Sequence, residues 1–386
     1  MESDLKMKRY KYIGLILLTL IQTALAKDEL SFKDWRNTAI NSNFSGVVLV
    51  AAENKVLFKE AFGLANREKN IPFSEDTIFN IGSLTKQFTA TAILKLHESN
   101  KLSVNDPLSK FFDNVPDDKK KITVHHLLTH TAGFVATRGG GSSNLYDVVT
   151  RKELIETALK SKLLTLPGEE YNYSNIGYNL LAIIIEKITA DNYENFYYEN
   201  LFEPAGLTET GYRLPKRAEN RVAINYGADQ TAYQRLFSIE AKSLPVGSPF
   251  QHLKIKEGPR FNMEGAGGMS STVGDLFLWY VALSSNLILT DESKKQLFLP
   301  HNASLEKESK SHYGYGWDIK STARGTLYAQ HNGSNGYSFA DMHYFVDENI
   351  FIVLATNDID VYPQVVMDEL LSLVESGMAN KKINKD

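Results

Sequence analysis

The sequence predicts an α+β protein in which one antiparallel sheet is built from both chain ends and a helical lobe is inserted between them. Three observations predict this. β-forming runs gather before residue 80 and again after residue 312. Between them, from Ser83 to about residue 205, the pattern is helical. An order of strands, many helices, then strands and a helix suits a single sheet closed by both ends of the chain. The cleft between the lobes is the default place for a site.

Taken in order, the chain opens with a basic cluster, Lys6, Lys8, Arg9 and Lys11. "YIGLILLTLIQTALA" follows and ends in Ala24-Leu25-Ala26, the charge, apolar stretch and small-residue site of a secretory signal over residues 1–26. The apolar run is shorter than the ~20 residues a spanning helix needs, although an uncleaved anchor is the alternative. The expected product is exported, periplasmic or secreted, with no integral membrane span after signal removal. Residues 27–378 read as the folded domain, with a sheet lobe at about 30–80 and 265–378 and a helical lobe at about 81–264. Residues 379–386 read as a flexible tail.

Within that domain, "WRNTAINSNF" reads as a short helix ending near Asn43. "SGVVLVAAENKVLFKEAFGLAN" reads as two strands around a turn at Glu53-Asn54. Leu84, Phe88, Ala92 and Leu96 recur every fourth residue, placing them on one helix face. "GYNLLAIIIEKIT" is a helix apolar enough to require burial. Residues 213–262 are irregular and polar, a long excursion near the site. "STVGDLFLWYVALS" is helical. "YGYGWDI", "GTLYAQHNG", "YSFADMHYF" and "NIFIVLATN" read as strands, and "YPQVVMDELLSLVES" as the last helix.

Composition narrows the function. The 386 residues are 43% hydrophobic and 23% charged, ordinary for a globular chain. A net charge of -4 leaves no basic footprint, so no nucleic-acid partner is expected. The absence of cysteine excludes disulfides, thiolate catalysis and cysteine-ligated zinc.

Chemistry is carried by three short stretches. In "FNIGSLTKQF" Ser83 and Lys86 stand three apart, on one side of a helix. A serine hydroxyl is a weak nucleophile until a neighbour takes its proton. A lysine whose pKa is lowered by burial can do so. The spacing alone is common, since Ser304 and Lys307 share it. In "LPGEEYNYSNIGYNLLA", Tyr173 and Asn175 precede the buried helix. A tyrosine held as phenolate, or hydrogen-bonded to a lysine, can relay protons. Asn175 can hold the lysine or a substrate carbonyl, and Ser174 is the expected N-cap. Tyr193/Asn195 and Tyr198/Asn200 repeat the spacing without the preceding Pro-Gly turn. In "QHNGSNGYSF", His331, Asn332 and Gly333 end a strand. The glycine lets a substrate approach, and the Ser334 amide can serve as an oxyanion donor.

The order Ser-x-x-Lys, Tyr-x-Asn, His-x-Gly resembles the serine β-lactamase and penicillin-binding protein superfamily, in its class C-like branch. "FNIGSLTKQFTA", "ITVHHLLTHTAGF", "PGEEYNYSNIGYNLLA", "GAGGMSSTVGDLFLW", "YGYGW" and "HNGSNGYSF" carry the resemblance, which runs from about residue 30 to 375. It implies a β-lactamase/transpeptidase-like fold and a serine hydrolase working through an acyl-enzyme without metal or cofactor. Ser83 would be the nucleophile and Lys86 its base partner. Tyr173 would assist as a base in deacylation, and Asn175 would complete the second motif. His331 and Gly333 would form the third, with the amides of Ser83 and Ser334 as the oxyanion hole. The substrate would be a peptidoglycan-type D-peptide or a small ester. A class C-like β-lactamase, or a penicillin-binding sensor that acylates without turnover, are the alternatives. The resemblance leaves the oligomeric state open.

One departure stands out. Many class C β-lactamases carry Lys-Thr-Gly where this chain has His331-Asn332-Gly333. A histidine with an ordinary pKa near 6.5 is mostly neutral at pH 7, so carboxylate recognition should be weaker and should recover as pH falls toward 6. The competing reading makes His331 a neutral hydrogen-bonding member of the Ser83–Tyr173 network. Arg138 or Arg260 would be alternative anchors. "HHLLTH", with His125, His126 and His130, lacks the glutamate of a His-Glu-x-x-His zinc site and reads as helix-turn packing. "GGGSS" at 139–143 lacks the Gly-Lys-Ser/Thr ending of a phosphate loop and reads as a flexible loop at the cleft rim.

Overall fold

The computed structural model describes residues 29–135, 148–213, 215, 219–227, 244–248, 263–303, 311–358 and 364–383. The signal-like segment, "GGGSS", Arg138, Arg260 and most of the 213–262 excursion lie outside the described residues. The chain divides into two units, residues 1–44 with 361–386 and residues 45–360.

In the first unit, helix α1 (Glu29–Asn41) meets the last helix, α9 (Gln364–Ile383). The Trp35 indole donates to the Val366 carbonyl at 2.7 Å, tying the two chain ends together. The last helix runs to Ile383, past the Ser376 at which the apolar pattern ends.

The second unit is built on an eight-stranded antiparallel sheet. Its strands are β1 (Gly46–Ala52), β2 (Lys55–Phe62), β3 (Asn302–Ala303), β4 (His312–Tyr313), β5 (Asp318–Ser321), β6 (Leu327–Ser334), β7 (Phe339–Phe345) and β8 (Ile350–Thr356). They lie in the order β2-β1-β8-β7-β6-β5-β4-β3, so the first hairpin sits beside the last strand, as expected of a sheet closed by both chain ends. Glu53 and Asn54 both take positive φ, 50° and 59°, which gives the tight turn between β1 and β2. Every residue of β1 and β8 is buried, which explains their unbroken apolar runs. "YGYGWDI" is a correction to the reading as one strand. Gly314–Trp317 turns the chain between β4 and β5, with Gly316 at φ +79°.

Among the described residues of this unit, the α-helices of five residues or more are α2 (Thr85–Glu98), α3 (Val124–Leu128), α4 (Arg151–Lys160), α5 (Asn175–Thr189), α6 (Tyr193–Tyr197), α7 (Val273–Ser284) and α8 (Asp291–Leu297). Residues Ile176–Ile185 of α5 are all buried, and α5 packs on α2 and α3. Helix α7 covers β1 and β8, where Tyr280 stacks on Phe351 at 4.9 Å between ring centroids. Phe88 of α2 fits between Phe202 and Trp279. These contacts fix α2, and the turn that leads into it packs on β6 and β7.

Candidate active site

The chain enters α2 through a single 3-10 turn, Gly82–Leu84, so Ser83 sits on a tight turn rather than on the α-helix proper. That turn is pinned from several sides. The Ile81 amide donates to the Met269 carbonyl at 2.9 Å, the Gly82 amide to Asn80 Oδ1 at 2.9 Å, and the Thr85 hydroxyl to the Gly82 carbonyl at 2.7 Å. Gly82 has φ +49°, and a Cβ there would lie 2.3 Å from the Ser334 amide nitrogen. On the facing strand β6, a Cβ at Gly333 would lie 2.0 Å from the Ile81 carbonyl oxygen and 2.6 Å from the Ser83 amide nitrogen. Two glycines therefore let the turn and the strand end press together backbone to backbone. The closeness puts Gly82 against the Ser334 amide and Gly333 against the Ser83 amide. The Ser83 amide belongs to the first turn of a helix, where N–H groups have no intrahelical acceptor.

Lys86 is fully buried in the first turn of α2. Its Nζ lies 3.1 Å from Ser83 Oγ, 2.9 Å from Asn175 Oδ1 and 2.6 Å from the Ala266 carbonyl oxygen. No carboxylate pairs with it among the described residues. Burial drives its pKa well below the ordinary lysine value of 10.5. The rings of Tyr173 and Tyr178, 4.7 and 5.6 Å from Nζ, favour an ammonium, but such contacts are worth only ~0.5–2 kcal/mol. Burying an unpaired ion costs several kcal/mol, so desolvation outweighs these contacts and favours the neutral amine. A neutral amine has two hydrogens and one lone pair. In that state Asn175 Oδ1 and the Ala266 oxygen can accept both hydrogens, which would turn the lone pair to the Ser83 hydroxyl.

Tyr173 lies on the approach to α5. Its phenol donates to Ser83 Oγ at 2.8 Å. Burial raises its pKa well above the usual phenol range. Burial therefore favours the protonated phenol bonded to the serine over the phenolate. Ser174 occupies the N-cap position of α5 but makes no side-chain cap; its hydroxyl donates to the Val135 carbonyl at 3.3 Å. Asn175, the first residue of α5, is left free to hold Lys86.

His331 faces inward from β6 and is buried. Its Nδ1 donates to the Asn332 carbonyl at 2.6 Å, and its Nε2 accepts from the Tyr313 hydroxyl at 3.0 Å. Burial, with Lys86 nearby, lowers its pKa to about 4. The expected titration near pH 6 is thus displaced. Its partner is Tyr313 rather than Ser83 or Tyr173; its ring centroid is 6.4 Å from that of Tyr173. The Ser334 hydroxyl accepts from the Gly336 amide at 2.9 Å, leaving its own amide as the group beside Gly82.

The structure thus gathers Ser83, Lys86, Tyr173 and Asn175 into one hydrogen-bonded cluster, with Gly333 and Ser334 against it and His331 behind. Sequence reasoning missed Ala266, Tyr313 and His130. Ala266 acts through its carbonyl, which no side chain signals. The three histidines of "HHLLTH" part company. His125 Nδ1 bonds the Tyr315 hydroxyl at 2.8 Å, and His126 Nδ1 accepts the Thr123 amide in the cap of α3. His130 belongs to the site, packed on Tyr173 at 4.3 Å between centroids. Among the described residues no cluster of three or more metal-ligating side chains is present.

Comparison with known proteins bears on the same segments. Residues 37–369 match the family described as Beta-lactamase. Penicillin-binding protein 4* of Bacillus subtilis (strain 168) is 27% identical over 333 residues, covering 84% of this chain and 71% of that protein. The chain spans less than two thirds of several other curated relatives. The octameric penicillin-binding protein homologue from Pyrococcus abyssi superposes with a TM-score of 0.75 at 26% identity, over 91% of this chain and 77% of that one. A penicillin binding protein from Bacillus halodurans superposes with a TM-score of 0.72 at 25% identity, over 88% and 98%.

Proposed function

The chain belongs to the beta-lactamase family and is a serine hydrolase, and on that footing we propose that Ser83 forms an acyl-enzyme on an amide or ester. The observation that carries the proposal is the buried Lys86, its Nζ 3.1 Å from Ser83 Oγ and its pKa driven down by burial, which favours the neutral amine. In acylation Nζ takes the hydroxyl proton as Oγ adds to the substrate carbonyl carbon. The oxyanion forms between the amides of Ser83 and Ser334. As the tetrahedral centre collapses, the bond to the leaving group breaks and the Tyr173 phenol gives that group its proton. Proton transfer from the Lys86 ammonium back to the phenolate resets both. Water then repeats the sequence on the acyl ester, with Lys86 again as the base.

The neutral His331 argues for the substrate class. It offers no fixed positive charge on β6, so a substrate that depends on a carboxylate anchor at that strand is disfavoured. D-peptide amides and small neutral esters fit better than β-lactams. The basic and apolar N-terminal segment favours an exported enzyme. Among the described residues no helix is long and apolar enough to cross a membrane.

The test is covalent labelling with steady-state turnover. Intact-mass analysis after a fluorophosphonate or a penicillin should show one adduct, absent in Ser83→Ala. A panel of D-peptides, short esters and β-lactams should show continued turnover of at least one neutral substrate. A label that persists in Ser83→Ala would overturn the nucleophile. A burst of one equivalent followed by silence on every substrate would leave a binding sensor instead.

A further inference from the structure

We propose that His130 is a positioning residue for the reaction, clamping the segment that aims the Tyr173 phenol at Ser83. The inference rests on the reading of Tyr173 as proton donor and adds a residue to it. The carbonyl of His130 accepts the Asn172 amide at 2.7 Å, and its Nδ1 accepts the Ser174 amide at 3.1 Å. One residue thus holds the backbone on both sides of Tyr173. The imidazole also packs against the Tyr173 ring, and Tyr178 and Tyr313 lie 5.1 and 4.7 Å away between centroids.

The residue type and its conformation both serve this clamp. His130 has φ +58°, a left-handed conformation that histidine, asparagine and aspartate adopt more readily than most residues. That conformation lets one residue present its carbonyl and its ring nitrogen to the same passing segment. An Nδ1 that accepts an amide proton carries none itself, so the proton is on Nε2 and the ring is neutral. Nε2 is buried and has no hydrogen-bond partner among the described residues. Burial, with Lys86 and His331 nearby, lowers the His130 pKa well below its ordinary value. The ring is held as an acceptor, the state the Ser174 bond requires. A residue needed only for packing would not require an acceptor at that nitrogen.

A double-mutant cycle between positions 130 and 173 tests this, with kcat expressed per active site titrated by fluorophosphonate. His130→Phe keeps the ring and removes the acceptor. It should lower kcat about 10- to 100-fold, part of the range that one proton-transfer group supplies, while KM stays within about threefold. His130→Asn puts Oδ1 close to the place of Nδ1 and tolerates the positive φ, so it should recover kcat to within about fivefold of wild type. In a Tyr173→Phe background, His130→Phe should cost less than about threefold, because the hydroxyl it positions is gone. Additive losses in the cycle would overturn the proposal, as would His130→Asn proving as damaging as His130→Phe in a protein that melts normally. If His130→Phe does not fold, His130→Ala replaces it in the cycle, and the His130→Asn result stands on its own. Should Tyr173→Phe alone leave kcat untouched, the proton-donor reading itself fails, which is a separate outcome.

Discussion

Gly333→Ala is the substitution whose effect the geometry defines most sharply. Gly333 does not have positive φ, so alanine meets no backbone penalty there. The obstacle is steric alone. Its Cβ would sit 2.0 Å from the Ile81 carbonyl oxygen and 2.6 Å from the Ser83 amide nitrogen, and both are backbone atoms that cannot swing aside. An ordinary carbon contact begins near ~3.5 Å, so β6 and the Gly82–Leu84 turn must separate by roughly an ångström. A shift of that size moves the Ser83 amide away from the Ser334 amide. Losing one oxyanion donor costs about 10²- to 10³-fold in kcat. Overpacking should also cost about 1–3 kcal/mol of stability. Gly325→Ala is the control. Gly325 has φ +79° with no atom within 4 Å of an added Cβ, so it should lose stability through strain and keep its activity. The assay is hydrolysis of a chromogenic ester per fluorophosphonate-titrated site, with thermal melting alongside. If Gly333→Ala turned over within about threefold of wild type, the close approach of turn and strand would not be what builds the oxyanion site.

Lys86→Met should lower kcat/KM by about 10²- to 10⁴-fold, and near-normal turnover would remove the lysine from the mechanism. Its stability should also lose a pH dependence. The folded-state pKa is lowered, so the cost of burying a protonated lysine is fully present below that value and fades as pH rises toward 10.5. The melting temperature of Lys86→Met minus wild type should therefore shrink across that window, and a constant difference would show that Lys86 is not held neutral. Tyr173→Phe should reduce kcat by about 10- to 100-fold, more for poor leaving groups than for nitrophenolate, because only the former need the proton. Equal losses for both leaving groups would count against proton donation. For His331, kcat/KM for a matched anionic and neutral substrate should run in parallel between pH 5.5 and 8, about one unit or more above its pKa of about 4. A selective gain for the anion as pH falls toward 6 would mean that the imidazole charges after all.

Much of this was legible in residues whose role is local. The apolar runs of β1, β8 and α5 announce burial because both faces of each are covered. Glu53-Asn54 announces its turn because few residues accept positive φ. Ser83 and Lys86 were legible as a pair because one helical turn separates them. Long-range facts were not. Nothing local tells that the carbonyl of Ala266, 180 residues from Lys86, takes one amine hydrogen. Nor does "HHLLTH" reveal that His130 leaves the helix in a left-handed turn and reaches the Tyr173 segment, while His125 and His126 remain with α3. The single strand expected at "YGYGWDI" failed because apolar and aromatic content signals burial, whereas Gly314 and Gly316 decide the path.

Charge state was the least legible property, because it belongs to the cluster rather than to any member. Lys86, His130 and His331 are all bases, all buried, and none has an ion-pair partner among the described residues. Lys86 lowers the proton affinity of both histidines, and His331 lowers that of His130. Groups coupled in this way titrate as a set. A carboxylate placed among them would give the first proton a partner, protonate the amine and silence the lone pair aimed at Ser83. The same reasoning explains a histidine on β6 where a lysine might have anchored a carboxylate. Bonded to Tyr313, it fills the wall behind the serine without adding a standing positive charge. On the mechanism proposed above, the arrangement would keep Lys86 neutral by desolvation alone and would leave the oxyanion to two backbone amides.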